Sequence, residues 1–535
     1  MNKTISMSLL SATAFSAVAT AADKPNIVII YADDLGYGDV SCYGAQKINT
    51  PNIDKLAKEG MRFTDAHSPS AVCTPSRYGL LTGRYPFKTG ISKPVFLKTP
   101  LIIETERKTL ASLAKDAGYS TAVVGKWHLG FGTKEPTDWN QPLKPGPLEL
   151  GFDYFFGVPV VNSHPPFVYM ENHHVLGLDK SDPFVYGKMA KTQKVHEKMG
   201  YKEIGGADAA HALYKDEKVG MTLTEKAVNW IKKEKDNPFF LYLATTNIHH
   251  PFTPDKQFKG TSEAGVYGDF THELDWIVGQ VTKTLKELNL DKNTLIVFTS
   301  DNGGMFNESG QEAWGMGHPI NGELLGFKFG SWEGGHRVPF IVKWPGVVQP
   351  GSTSNSLVSS LDFFATFQEI FKQTPDKKYG EDSISMMPVL KDAAATYREE
   401  LLYVPFKFTH IAMRKGDWVY IPAQGDGGFW GKKPGTHTYS GPAALNTTKQ
   451  KNSDIVNGKF KAGAPKAQLY NLKEDLKQEK NVIKDHPEIA KSLDEKLKNF
   501  TADIKIVETA KAHTVDDGPK AKGKKKKGKK KKNSL

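Results

Sequence analysis

The chain has 535 residues, 39% hydrophobic and 24% charged, a balance that excludes a membrane-embedded or wholly disordered protein and a length beyond one ordinary domain. Its formal charge of +12 suggests a nucleic-acid partner, but ten lysines fall between Lys520 and Lys532, and without them the charge is only +2. The basicity belongs to the tail, so no specific nucleic-acid partner is expected.

In chain order, residues 1–22 place Lys3 ahead of a mildly apolar stretch ending near Val18 and the small residues Ala19-Thr20-Ala21-Ala22. That is the order of a secretory signal peptide, so the protein is expected to be exported, to the periplasm or outside the cell. No later segment has the length of a transmembrane span. The two cysteines, Cys42 and Cys73, would form a disulfide on one reading of an exported chain. On the functional reading developed below, Cys73 is unpaired and Cys42 is a small buried residue. No zinc-type cysteine spacing exists.

Apolar runs at 26–32, 121–124, 239–244, 294–299 and 338–343 read as buried strands of a parallel sheet. Helical patterns at 53–59, 110–117, 221–233 and 274–288 lie between them. The alternation predicts an α/β fold, a large and mostly parallel sheet sandwiched by helices, over residues 23–395. Residues 159–218 break the rhythm with histidines, tyrosines and polar residues, and read as an insertion over one end of the sheet. From 396 to about 510 the pattern predicts a smaller domain, with a short antiparallel sheet from pieces at 401–405, 418–421 and 467–472 and a helix at 488–500. The Lys/Gly-rich segment 511–535 is expected to be a disordered tail, able to contact polyanions.

Residues with chemical potential cluster at the ends of the apolar runs. The first run ends in Asp33-Asp34, the second in Gly125-Lys126-Trp127-His128, the third in Asn247-Ile248-His249-His250-Pro251 and the fourth in Asp301-Asn302-Gly303-Gly304. Ligands of open parallel sheets bind outside the carboxyl ends of the strands, where these residues would converge. Asp33, Asp34, Asp301 and Asn302 are hard oxygen donors that suit Ca²⁺ or Mg²⁺. Either pair alone would equally serve as turn or cap residues. Cys73-Thr74-Pro75-Ser76-Arg77 places a proline in the first turn of a helix, and so Cys73 at its anion-attracting N-terminus. Trp127 and Trp332 read as packing residues beside the site, while His164, His173, His174 and the 430–439 region are candidate pocket linings.

From about Lys24 to the end of the smaller domain the chain resembles the type I sulfatases of the alkaline phosphatase superfamily. The C-x-P-S-R run at Cys73 is the signal by which that family's cysteine is converted to formylglycine, and Leu81-Thr82-Gly83-Arg84 continues it. PNIVIIYADDLGYGDVSCYG, from Pro25 to Gly44, is similar to the family's first strand and metal loop. Gly317-His318, Asn321-Gly322, Gly326, Lys328 and the run from Trp332 to Pro339 match its later signature. The resemblance implies that Asp33, Asp34, Asp301 and Asn302 hold one Ca²⁺ together with an oxygen of modified residue 73. It further implies that Arg77 steadies the hydrated aldehyde, that Lys126 and Lys328 bind sulfate oxygens, and that His128 and His249 transfer protons. The family's H-x-P pattern selects His249 over His250, and His318 falls at a position often near the substrate. The implied partners are a formylglycine-generating maturation enzyme and a sulfated carbohydrate or aryl sulfate.

Elementary chemistry agrees with these roles. A sulfate ester is an anion that repels an anionic nucleophile, so metal and lysine charges are needed to offset the repulsion. A hydrated aldehyde carries two hydroxyls on one carbon, one to attack sulfur and one to expel sulfate afterwards, which a serine cannot do. Two other readings compete. A phosphoester or phosphonate hydrolase would share the sheet, but many alkaline phosphatases need a two-zinc ligand set that this chain does not spell out. A non-catalytic protein binding sulfated glycans would have lost a nucleophile, a histidine or a ligand, and none is missing.

Overall fold

The computed structural model describes residues 24–189, 202–429, 431 and 433–502; the leader at 1–22 and the tail at 511–535 lie outside them. Ten strands form one sheet, in the order Ser352–Ser354, Met61–Phe63, Phe340–Lys343, Thr294–Ser300, Asn26–Ala32, Phe239–Ala244, Ser120–Lys126, Tyr154–Val158, Met170–Glu171 and His174–Val175. The five from Thr294–Ser300 to Tyr154–Val158 run parallel. All seven residues of Asn26–Ala32 are buried, and their period of two divides them between two cores. Ile27, Ile29 and Tyr31 enter one, while Val28, Ile30 and Ala32 enter the other.

Helices close both faces. Tyr78, Leu80 and Leu81 of the Cys73–Thr82 helix pack on the first face, with the Leu110–Asp116 and Phe363–Ile370 helices. The Pro51–Lys58, Val219–Glu234 and Gly265–Glu287 helices pack on the second. Burying each large aliphatic side chain contributes roughly 1.5–3 kcal/mol, so the two cores dominate the stability. Among the described residues no helix is long and apolar enough to cross a membrane. Cys42 and Cys73 are both free thiols.

One strand expectation is corrected. The 338–343 run is not a parallel strand: Phe340–Lys343 pairs antiparallel with Thr294–Ser300. The connection between them carries no strand and stays at the carboxyl end of the sheet, so the chain can only return in the opposite direction. The insertion also contributes to the sheet, through the hairpin of Met170–Glu171 and His174–Val175 at its edge.

The C-terminal part holds a four-stranded antiparallel sheet in the order Glu400–Tyr403, Ala412–Lys415, Trp418–Ile421 and Gln468–Asn471. Ala490, Leu493 and Leu497 of the Pro487–Thr501 helix pack on it. Its core is shared with Tyr85, Phe87, Leu325 and Trp332 from earlier in the chain. A buried ionic cluster adds to the junction. Asp65 accepts hydrogen bonds from both terminal nitrogens of Arg414, at 3.0 and 2.7 Å, and lies 3.3 Å from Arg337. His67 adds a contact of 2.8 Å. Removing one partner of such a buried set leaves uncompensated charge, so Asp65→Asn should cost about 3–5 kcal/mol in urea unfolding. A loss below about 1 kcal/mol would mean that the arginines are already neutralised without it.

Candidate active site

The four strand-end segments meet because their strands are neighbours in the parallel part of the sheet. Backbone bonds tie the segments directly: Asp33 N donates to Asn247 O (2.8 Å), Ile248 N to Asp33 O (2.6 Å) and Asp301 N to Ala32 O (3.0 Å). The Cys73–Thr82 helix approaches from the side, and every one of its residues is buried. It ends at Gly83, which is left-handed (φ 62°) and donates to Gly79 O. A Cβ there would lie 2.6 Å from Phe364 Cβ, which accounts physically for glycine after Leu81-Thr82. No side chain caps the other end, so the positive end of the helix lies at Cys73 itself.

Three cations face three carboxylates inside this junction. Arg77 donates to Asp301 Oδ2 through Nε (3.1 Å) and Nη2 (2.7 Å). Lys126 Nζ lies 2.9 and 2.8 Å from the two oxygens of Asp33, and Lys328 Nζ lies 2.5 Å from Asp34 Oδ1. None of the six side chains is more than 3% exposed. Burial works against the charge of Lys328, but Asp34, and then Cys73, Asp33 and Asp301, outweigh it and hold its pKa above the usual lysine range. Burial, and then the neighbouring Asp33, push the Asp301 carboxyl up. Burial raises the Cys73 thiol, opposed by Lys126 and Lys328.

Two histidines complete the set. His249 Nδ1 lies 2.6 Å from the carbonyl oxygen of His250, which can only accept, so Nδ1 carries the hydrogen. Its Nε2 lies 3.8 Å from Asp34 Oδ2. Both ring nitrogens of His128 are buried without a partner. Burial holds both imidazoles well below the usual range, aided at His128 by Lys126, Arg77 and Lys328 and at His249 by His250, Lys328 and Lys126. Asp34 (φ 60°), His128 (φ 57°) and Phe329 (φ 80°), the last beside Lys328, all hold left-handed backbone. Each costs roughly 1–3 kcal/mol, a strain that aims three site loops.

The donors fit a hard cation. Asp34 Oδ2 and Asn302 Oδ1 are buried acceptors without a partner. Asn302 Nδ2 donates to Asp34 Oδ1 (2.9 Å) and Gly303 O (2.9 Å), which fixes the amide and leaves its oxygen unused. Asp34 N donates to Asp301 Oδ1 (3.2 Å), drawing the second pair in. Ligand atoms of Asp33, Asp34 and His249 lie within 4.8 Å of one another. Buried acceptors of this kind are costly unless satisfied, and oxygen donors select a hard ion.

Of the residues singled out in the sequence, Asp33, Asp34, Cys73, Arg77, Lys126, His128, His249, Asp301, Asn302 and Lys328 belong to this one junction. His318 is placed differently: it is 1% exposed and its Nε2 lies 2.8 Å from Asp39 Oδ1. Asp39 also accepts from Tyr267 OH and Gly36 N, so His318 braces the loop that follows Asp34. Trp127 and Trp332 are fully buried, with their indole N–H groups bonded to Gly130 O and Gln468 Oε1. His173 pairs with Glu149, away from the junction, and His164 lies against Phe96 at 4.9 Å. The pairing of each lysine with a particular aspartate had no signal in the sequence.

A sequence model described as Sulfatase matches residues 25–372, and one described as N-sulphoglucosamine sulphohydrolase, C-terminal, matches residues 328–418. The chain is 38% identical over 503 residues to an N-acetylgalactosamine-6-O-sulfatase of Bacteroides thetaiotaomicron, covering 89% of this chain and 93% of that one. Human steryl-sulfatase is 32% identical over 447 residues, 73% of each chain. A solved structure from a study of glycosaminoglycan metabolism by B. thetaiotaomicron superposes with a TM-score of 0.79 at 35% identity, over 90% of this chain and 100% of that chain.

The unused acceptors generate a stability prediction. Protein stripped of divalent ions should gain about 2.7 kcal/mol when Ca²⁺ is added to a hundredfold above its dissociation constant. Asn302→Leu, which keeps the shape but deletes the acceptor together with the bonds donated to Asp34 and Gly303, should start less stable and lose most of that gain in thermal unfolding. An equal gain in both proteins would place the stabilising ion elsewhere.

Proposed function

The chain belongs to the sulfatase family, and we propose that this sulfuric ester hydrolase cleaves sulfate from a sulfated carbohydrate through a formylglycine made from Cys73, with one Ca²⁺. The observation that carries this reading is the convergence of Arg77, Lys126 and Lys328 with Asp33, Asp34 and Asp301 around the N-terminus of the Cys73–Thr82 helix. Three charges of each sign cancel. A dication, a singly charged sulfate ester and an ionised nucleophile also sum to zero, so the site can accept all three without net buried charge.

Asp33, Asp34, Asp301 and Asn302, with an oxygen at position 73, would hold the Ca²⁺, which supplies charge to offset the repulsion between two anions. Formylglycine would supply, as its hydrate, one hydroxyl oxygen that bonds sulfur as the ester S–O bond breaks and a second hydroxyl whose loss of a proton re-forms the aldehyde and expels sulfate. The chain's own residues do the rest. Lys126 and Lys328 bind sulfate oxygens with buried point charges, which act strongly where water is excluded. Arg77 stays on Asp301 and keeps that carboxylate oriented. His249, with Nδ1 fixed on the carbonyl of His250, presents Nε2 to the departing alcohol. As the S–O bond breaks, the alcohol oxygen takes its proton from there. The charge of the bound sulfate works against the causes that depress His249 and favours its protonated form. His128, whose two ring nitrogens have no hydrogen-bond partner, accepts the proton that the second hydroxyl of residue 73 loses as sulfate departs.

A 6-O-sulfated N-acetylgalactosamine is the first substrate to assay, on the likeness to the Bacteroides enzyme. We place the enzyme outside the cytoplasm, on the pattern of residues 1–22, and assign the lysines of 511–535 to contact with polyanionic polymers.

Produced with a formylglycine-generating enzyme, the tryptic peptide carrying residue 73 should be about 18 Da lighter than its cysteine form. Turnover of an aryl sulfate should then fall on the order of a thousandfold or more in Cys73→Ala. Unmodified cysteine in fully active protein would overturn the mechanism.

A further inference from the structure

Beyond the charged junction, a second chain of polar contacts leads from His249 to the surface. The ring of His250 stacks on that of His249 with centroids 4.3 Å apart. Its Nε2 lies 2.9 Å from Nε2 of His437, a residue 187 positions later in the C-terminal part. His437 Nδ1 in turn lies 3.0 Å from Glu308 Oε2. A carboxylate only accepts, so His437 holds its hydrogen on Nδ1 and presents a lone pair at Nε2. His250 must then donate from Nε2, which leaves Nδ1 of His250 as an acceptor.

The segment carrying His437 is fastened to the helix Glu308–Gly315. Gly435 N donates to Gln311 Oε1 (2.7 Å), and Gln311 Nε2 donates to Thr436 O (3.2 Å). Behind it, Tyr439 stacks on Phe306 at 5.8 Å and its hydroxyl donates to Ala443 O (2.6 Å). Stability alone does not account for this arrangement. The side chain of His437 is 38% exposed, and a hydrogen bond so open to water adds little to folding. His250 is only 9% exposed and lies within electrostatic reach of His164, Lys328 and Lys126. His250 therefore lies between His249, on which it stacks, and His437, which meets solvent.

We infer that His250 reads a hydroxyl on the sugar that carries the sulfate, accepting its hydrogen at Nδ1, and that His437 is the positioning residue that fixes this tautomer. This rests on the proposed sulfatase reading and deepens it by naming what recognises the alcohol part. With the other ring nitrogens of the pair engaged, Nδ1 of His250 can only accept, and a sugar hydroxyl can donate to it, whereas the ring of an aryl sulfate offers no such donor. Glu308 and Gln311 preorganise the pair, so little ordering is left for the substrate to drive.

The test compares 6-O-sulfated N-acetylgalactosamine with 4-nitrophenyl sulfate on formylglycine-containing protein. His437→Ala, which leaves the tautomer of His250 unfixed, should raise KM for the sugar about tenfold, the loss of the one hydrogen bond at His250 Nδ1, and at least roughly five times more than KM for the aryl sulfate, with kcat less affected than KM. Gln311→Ala, which unfastens the segment, should move the sugar KM in the same direction, and an unaltered unfolding temperature would confirm intact folds. Equal effects of His437→Ala on both substrates, or none on the sugar, would overturn the inference while leaving the sulfatase reading intact. Wild-type protein that cleaves the aryl sulfate but not the sugar overturns the substrate reading and this inference with it, and protein that cleaves neither overturns the proposed function.

Discussion

Six buried charges at the carboxyl ends of parallel strands set the terms for the rest of the molecule. Lys126 on Asp33, Lys328 on Asp34 and Arg77 on Asp301 form three ion pairs that are almost closed to water. Removing an ion from water costs several kcal/mol even after relaxation, and well-packed apolar residues of the same volume would stabilise a core at least as well. The pairs are therefore a functional expense, borne by the two apolar cores on either face of the sheet. The unused oxygens of Asp34 and Asn302 add to that expense and have the same cause.

Holding these charges in place needs backbone precision more than bulk. The strand-end loops are stitched to one another by main-chain bonds, and three of them are turned by a residue in left-handed conformation. The Gly303-Gly304 turn allows the later signature segment to close over the site. A Cβ on Gly303 would lie 1.9 Å from Gly334 O, and Gly304 O accepts from Lys328 N at 3.0 Å. The C-terminal part takes a share in the same work. Asp65 and Arg414 lock it to the main body, Gln468 holds the indole of Trp332, and the His437 segment reaches back to the rim.

Much of this architecture is legible in the sequence, for a physical reason. Parallel strands buried on both faces read as continuous apolar runs, and their carboxyl ends must converge, so Asp33, Asp34, Lys126, His249, Asp301 and Asn302 can be gathered without knowledge of the fold. Local patterns locate Cys73 at a helix start and the C-terminal helix to within a residue at each end. Short pieces such as Met61–Phe63 and Ser352–Ser354 carry too few residues for a period to show. The reversed direction of Phe340–Lys343 depends on where its connection runs, which composition does not encode. His318 matches a motif whose spacing says nothing of which way the ring turns, and it turns to Asp39. His250 and His437 pair across 187 positions, and only the folded chain brings them together.

Lys126 and Lys328 are held by Asp33 and Asp34, and the proposed mechanism gives those aspartates to a cation and turns the lysines to sulfate when substrate and Ca²⁺ are present. A crystal structure of the Cys73→Ala protein grown with Ca²⁺ and a sulfated sugar tests this most directly. The predicted result is an anomalous calcium peak among Asp33, Asp34, Asp301 and Asn302, with both lysine Nζ atoms on sulfate oxygens. Bound sugar with no cation there, and with the lysines still seated on Asp33 and Asp34, would contradict it.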